Sequence, residues 1–138
     1  MKKFIFAFIL VTPMVAHADI SSEIMCFESG GIESVNFEIK TYYDASAKFS
    51  FGFVRYRNSK KTIPIVLNRS ISETLDKNMP DQTTNTWTEV YDGKVTGEYE
   101  MISQGTGVSS MVYTRKQGNK KIAFFLNADA ITLSGCQW

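Results

Sequence analysis

The chain has 138 residues, 43% of them hydrophobic, with 15 basic residues against 14 acidic ones. This length predicts a single domain, and the near balance of charge argues against a nucleic-acid-binding protein, which normally carries a strong basic excess. The one histidine, His17, lies in a predicted leader, so the mature chain would have no imidazole for Ser-His-Asp or Cys-His catalysis or for most zinc and copper sites. We therefore expect a protein that is not an enzyme and holds no metal or cofactor.

The first 18 residues have the pattern of a secretory signal peptide. Lys2 and Lys3 precede an apolar run over residues 4–15, which is too short for a membrane span, and Ala16-His17-Ala18 matches a cleavage site. Cleavage would remove two of the 15 basic residues, which leaves 13 against 14 acidic ones and a net charge of −1. We expect a mature domain of residues 19–138, periplasmic or secreted by a bacterium, with no membrane anchor.

The two cysteines lie near the two ends of the mature domain. In an exported chain, Cys26 and Cys136 are expected to form a disulfide. A redox pair is the alternative, but the chain has no C-x-x-C spacing that would lower a thiol pKa.

The first half of the domain reads as strands. Residues 20–27 and 35–43 predict the first two, the second from a clean alternation of apolar and polar positions. In the third, the apolar positions shift after Phe53, which predicts a β-bulge. A fourth strand over residues 63–67 contains Pro64, which predicts an edge strand or a strand start.

The second half continues with a meander. Residues 68–85 predict the longest loop, with at most one helical turn. Asp92-Gly93 then predicts a two-residue hairpin turn, which pairs Val90 with Val95 and Thr86 with Tyr99 unless a G1 bulge changes the register. Strands over residues 108–114 and 122–126 and a short one over 130–133 complete the chain.

These elements predict an all-β fold, an antiparallel arrangement of about eight strands in a small barrel or a sandwich, with one disulfide. The periodicity predicts that the core is formed mostly by Phe37, Phe49, Phe51, Phe53, Tyr99, Phe124 and Leu126.

Two kinds of residue are candidates for binding a partner. Trp87 and Tyr91 share a strand face with charged residues in the predicted register, and exposed aromatic residues anchor protein interfaces; cross-strand packing explains them equally well. Two turns are basic and would form a positive rim if both lie at one end of the fold, whereas solubility and edge protection need no partner. These basic residues are Arg55, Arg57, Lys60, Lys61, Arg115, Lys116, Lys120 and Lys121.

Carboxylates offer a weaker possibility. Glu89 and Glu98 share a strand face in the predicted register, so a glycan hydrolase with an acid and a base is an alternative, although a solvated polar face explains both. The acidic loop over residues 76–81 does not have the spacing of an EF-hand calcium site.

The chain resembles the C-type lysozyme inhibitors of the bacterial periplasm. The similarity lies in Ile24-Met25-Cys26 near the start, in Leu133-Ser134-Gly135-Cys136-Gln137 near the end, and in the predicted small β-barrel. Ser103-Gln104-Gly105 corresponds only loosely to the family's inhibitory loop, so no inhibitory residues are transferred.

This resemblance implies an exported binding protein. We expect it to inhibit or neutralise a protein partner, either an envelope hydrolase or a toxin. The alternatives are a small-molecule or lipid carrier with a cavity inside the barrel, the carboxylate-dependent glycan hydrolase, and a structural subunit that self-associates.

Overall fold

A computed structural model describes residues 19–138. The signal-peptide prediction concerns residues 1–18 and lies outside the described residues. The described part contains ten β-strands, one 3-10 turn at Ala128–Ala130, and no α-helix. The strands are β1 (Ile20–Glu28), β2 (Asn36–Asp44), β3 (Phe49–Tyr56), β4 (Ile63–Glu73), β5 (Gln82–Tyr91), β6 (Lys94–Gln104), β7 (Gly107–Arg115), β8 (Lys121–Leu126), β9 (Ile131–Thr132) and β10 (Gly135–Cys136).

The first eight strands form a closed antiparallel barrel in which each strand pairs with the next along the chain. The barrel closes where Phe27 and Glu28 of β1 pair with Leu126 and Phe125 of β8. The predicted all-β fold with about eight strands is therefore confirmed, and it is a barrel. Because the chain runs up and down, the hairpins that follow β1, β3, β5 and β7 all lie at one end, which we call the basic end.

The interior of the barrel is filled by side chains, as expected for eight strands. The predicted core residues Phe37, Tyr99 and Phe124 are buried there, and Leu126 is partly buried against them. The rest of the cluster consists of Met25, Phe27, Ile39, Val54, Ile65, Trp87, Met101 and Met111. Clefts lie at the basic end and on the outer surface.

The Asp92-Gly93 hairpin is confirmed, because both residues have positive φ and Val90 pairs with Val95. The register further along is wrong by one residue. A bulge between Glu89 and Val90 pairs Trp87, and not Thr86, with Tyr99. The bulge therefore places Trp87 on the same inner face as Tyr99.

The predicted bulge in β3 is wrong, since β3 pairs with β2 and β4 in continuous register. Pairing with the buried Ile39 turns Val54 inward, and the alternate residues of β3 must then point outward. Phe49, Phe51 and Phe53 consequently lie on the outer face, where they pack against one another and Tyr42. They are not core residues.

The predicted long loop is mostly strand, because β4 extends to Glu73 and β5 begins at Gln82. Pro64 lies in β4 before its pairing with β5 begins at Ile65, so the proline costs no ladder hydrogen bond on that side. This confirms that Pro64 marks the start of a strand.

The Cys26–Cys136 disulfide is confirmed, with its Cα atoms 5.8 Å apart. It fixes β9 and β10 on the outer face of β1, where the backbone N–H of Cys136 donates to Glu38 at 2.7 Å. A disulfide indicates an oxidising compartment outside the cytosol. Within residues 19–138, no helix is long and apolar enough to cross a membrane.

Candidate functional site

The basic end carries a cleft of about 460 Å³ that adjoins a second one of about 260 Å³. Both are lined by Ile63, Glu89, Tyr113 and Arg115. We call the two together the Glu89 cleft. Ile63 and the ring of Tyr113 give it apolar walls, whereas Glu89 lies at its floor.

Glu89 is a buried carboxylate, with 4% of its surface exposed. Three hydroxyl groups donate hydrogen bonds to it: Thr96 at 2.7 Å and Tyr113 at 3.0 Å to Oε1, and Tyr99 at 2.7 Å to Oε2. Tyr56 extends the network through a 3.0 Å bond between its hydroxyl and that of Tyr99. We call Glu89 with these three tyrosines the tyrosine hub. Such donors offset much of the free-energy cost of burying a charge.

Local sequence explains how the hub fits inside the barrel. The bulge beside Glu89 places it opposite Gly97 and brings Tyr99 to the same inner face. A Cβ at Gly97 would lie 2.5 Å from ring atoms of Tyr113, so the glycine leaves the space that this ring occupies. A glycine inside a strand often marks such a close approach.

Burial and the Glu89 carboxylate keep the hub tyrosines protonated. Desolvation is the main cause that raises the pKa values of Tyr56, Tyr99 and Tyr113, and the charge of Glu89 raises all three further. Arg115 acts in the opposite direction on the pKa of Tyr113. The hydroxyl groups of Tyr99 and Tyr113 therefore remain hydrogen-bond donors to Glu89 at physiological pH.

Three of the predicted basic residues, Arg115, Lys116 and Lys120, line the Glu89 cleft, and the others lie farther from its floor. The β3–β4 and β7–β8 turns lie at the same end, as required for a positive rim. Lys94, which follows the Asp92-Gly93 turn, adds to it and lines the cleft. The exposed rim residues are Arg57, Lys60, Lys61, Lys94, Arg115, Lys116, Lys120 and Lys121.

Arg55 is held differently from the other basic residues. Its guanidinium donates to both oxygens of Glu38, at 3.2 and 3.1 Å. This is the one ion pair found in residues 19–138. Arg55 thus supports the outer face where β10 is attached, while the rim cations contact no carboxylate of the described chain and can reach a partner.

The two predicted aromatic anchors, Tyr91 and Trp87, differ in how far they are exposed. Tyr91 is 47% exposed and lines the cleft, in agreement with a surface role. Trp87 is only 5% exposed, so the interpretation as an exposed anchor is wrong for Trp87, and the alternative of cross-strand packing holds. The bulge explains the error, because it places Trp87 opposite the buried Tyr99 inside the barrel.

The predicted carboxylate pair is also separated. Glu89 lies inside the barrel, whereas Glu98 pairs with Thr88 and Thr114 and is exposed on the outer face. The two side chains do not share a face, so they cannot act together on one substrate. Among the described residues, no group of three or more acidic, histidine or cysteine side chains could hold a metal ion.

Sequence reasoning missed Tyr56, Tyr99 and Tyr113 as members of the site. Gly97 is the one local signal that could have indicated them, since it lies within a strand otherwise rich in large residues. The geometry defines a small disulfide-linked barrel with a charged, concave end. No protein-family model, curated protein or solved structure matches the chain.

Proposed function

We propose that the chain is an exported, periplasmic binding protein that neutralises a protein partner, either an envelope hydrolase or a toxin. It docks its basic end on an acidic surface of that partner. The observation that carries the proposal is the gathering of eight exposed cations at one end of a closed barrel, where Lys94, Arg115, Lys116 and Lys120 line the Glu89 cleft.

Charge and shape both favour a protein surface as the ligand. Complementary charge raises the rate of encounter and selects against wrong partners. The cleft adds an apolar recess beside the exposed Tyr91, a combination that suits an anchoring side chain in the centre of an interface. The tyrosine hub supports this surface from below and does not need to contact the partner.

The experiment compares two charge-reversed variants in assays of neutralisation. Lys116→Glu with Lys120→Glu alters the rim, and Lys48→Glu with Lys77→Glu makes the same change in charge at the opposite end. Each protein is titrated against a C-type lysozyme and against purified products of neighbouring reading frames, with lysis of a cell-wall suspension or growth protection as the readout.

We expect the unaltered protein and the opposite-end variant to neutralise a target with similar potency. The rim variant should lose at least tenfold, and raising the salt concentration should weaken the unaltered protein because exposed charges are screened. Equal potency of the two variants would contradict the rim as the interface. Failure to neutralise any hydrolase or toxin would contradict the function.

A further inference from the structure

The first strand of the barrel has a largely unpaired edge. β1 pairs with β2 over its whole length, from Ile20 to Glu28. On its other side it pairs with β8 only at Phe27 and Glu28, and Asn127 adds one hydrogen bond to the carbonyl of Cys26. The chain then leaves the barrel through the 3-10 turn. Within residues 19–138, no strand pairs with the edge over residues 20–25.

The directions of two carbonyl groups show which residues face this edge. The carbonyl of Asp19 accepts a hydrogen bond from Ala45, on the side of β2, whereas that of Cys26 accepts from Asn127, on the opposite side. Because these directions alternate along an antiparallel strand, the N–H and C=O groups of Ile20, Ser22 and Ile24 point toward the open edge.

This edge carries few of the features that protect free edges in other proteins. Residues 20–25 contain no lysine, no proline and no bulge, and Glu23 is their one charged residue. Aliphatic side chains surround it instead: Ile20 is 51% exposed, and Ile131 and Leu133 of the C-terminal segment are also exposed. A groove of about 590 Å³ runs between Leu133 and the outer side of Ile24.

We propose that a second copy of this chain adds its own β1 to this edge, antiparallel, around a two-fold axis at Ser22. The sequence fits such a contact because an isoleucine lies two positions to each side of Ser22. Ser22 would lie opposite Ser22 of the other copy, and Ile20 opposite Ile24. A two-fold contact requires this self-complementarity.

The pairing gives hydrogen-bond partners to the unpaired backbone groups of this edge and covers apolar surface. It brings no like charges opposite each other. It forms about six backbone hydrogen bonds between the copies, and it places Glu23 opposite Ser21. Leu133 and Ile131 of each copy lie beside the added strand. The two-fold axis turns the basic ends away from each other, so the dimer would present two such ends.

The contact is small, so the dimer is expected to be weak. One strand pair with a few aliphatic side chains lies at the low end of protein interfaces, below roughly 1,200 Å² in total. We expect dissociation constants of about 10–100 μM, within reach of analytical ultracentrifugation between a few micromolar and a few hundred micromolar protein.

The test uses the mature chain recovered from the periplasm and two variants of the central residue. Ser22→Pro removes the N–H that points toward the second copy and costs no bond to β2, whereas Ser22→Ala keeps that N–H. The unaltered protein and Ser22→Ala should form dimers with similar dissociation constants. Ser22→Pro should stay monomeric up to a tenfold higher concentration, with unchanged far-UV circular dichroism.

Hydrogen exchange on the unaltered protein gives a readout that needs no variant. Raising the concentration through the dissociation constant should slow exchange at the amides of Ile20, Ser22 and Ile24. The amides of Ser21 and Glu23, which face β2, should change little. A monomer at several hundred micromolar, oligomers larger than a dimer, or equal slowing of alternate amides would overturn the proposal.

Discussion

Replacing Tyr99 with phenylalanine removes one hydroxyl group from the centre of the tyrosine hub and leaves the ring in place. That hydroxyl donates to Oε2 of Glu89 at 2.7 Å and bonds to Tyr56 at 3.0 Å, and Tyr99 has no exposed surface. Losing a bond to a charged group costs about 1.5–3 kcal/mol and a neutral one about 1 kcal/mol. We expect Tyr99→Phe to lower the free energy of unfolding by about 3 kcal/mol.

Tyr56→Phe is the matched control, because it removes only the outer, neutral hydrogen bond of the network. It should cost about 1 kcal/mol. Both values can be measured by urea unfolding followed by circular dichroism and by the fluorescence of the buried Trp87, provided that the two probes give coincident transitions. For a domain of this size, the Tyr99→Phe loss corresponds to a fall in Tm of roughly 10 °C.

Equal losses for the two variants would refute this reasoning. They would show that the bond between Tyr99 and Glu89 contributes no more than a neutral one, and that the buried carboxylate does not depend on it. A loss below about 1 kcal/mol for Tyr99→Phe would lead to the same conclusion.

Three further predictions concern the disulfide, the hub at high pH, and the glycine beside it. Replacing Cys26 and Cys136 together with alanine should lower the free energy of unfolding by about 4–5 kcal/mol, the chain-entropy value for a loop of this length. Thermal melting with and without reductant measures this loss, and an unchanged Tm would contradict a stabilising disulfide. The hub tyrosines have raised pKa values in the folded state, so the folded chain keeps protons that the unfolded chain releases above a pH of about 10. Below that pH, these groups should not change the free energy of unfolding. Above it, the free energy of unfolding should fall by up to about 1.4 kcal/mol per pH unit for each tyrosine. Urea unfolding at several pH values measures this fall, and tyrosinate absorbance at 295 nm should show that the tyrosines ionise only as the chain unfolds. Gly97→Ala should push the Tyr113 ring away from Glu89 and destabilise the barrel by about 1–3 kcal/mol, whereas a stability equal to that of the unaltered protein would show that the ring moves aside at no cost.

Features encoded by a few neighbouring residues could be predicted from the sequence. Asp92-Gly93 requires positive φ at both positions, and the structure has it. The alternation around Phe37 and Ile39 identifies the buried face of β2, and two cysteines allow only one internal pairing. Each of these predictions depends only on the residues of one strand, on one turn, or on one type of residue.

Features that depend on distant strands could not be predicted. The face of β3 is set by its pairing with β2, and hydrophobicity alone placed Phe51 on the wrong side. The bulge beside Glu89 shifts the register by one residue, which reverses the faces assigned to Trp87 and Glu89. The hub joins residues of β3, β5, β6 and β7, so no local pattern contains it.

The bond that joins β1 to β10 also sets an order of events during biogenesis. In a chain exported with its amino terminus first, Cys26 emerges 110 residues before Cys136, and the sequence holds no other cysteine with which it could pair. Oxidation must therefore wait until Cys136 has emerged as well. The thiol of Cys26 meanwhile remains available to an oxidoreductase. The disulfide forms only after the eight strands of the barrel have been translocated.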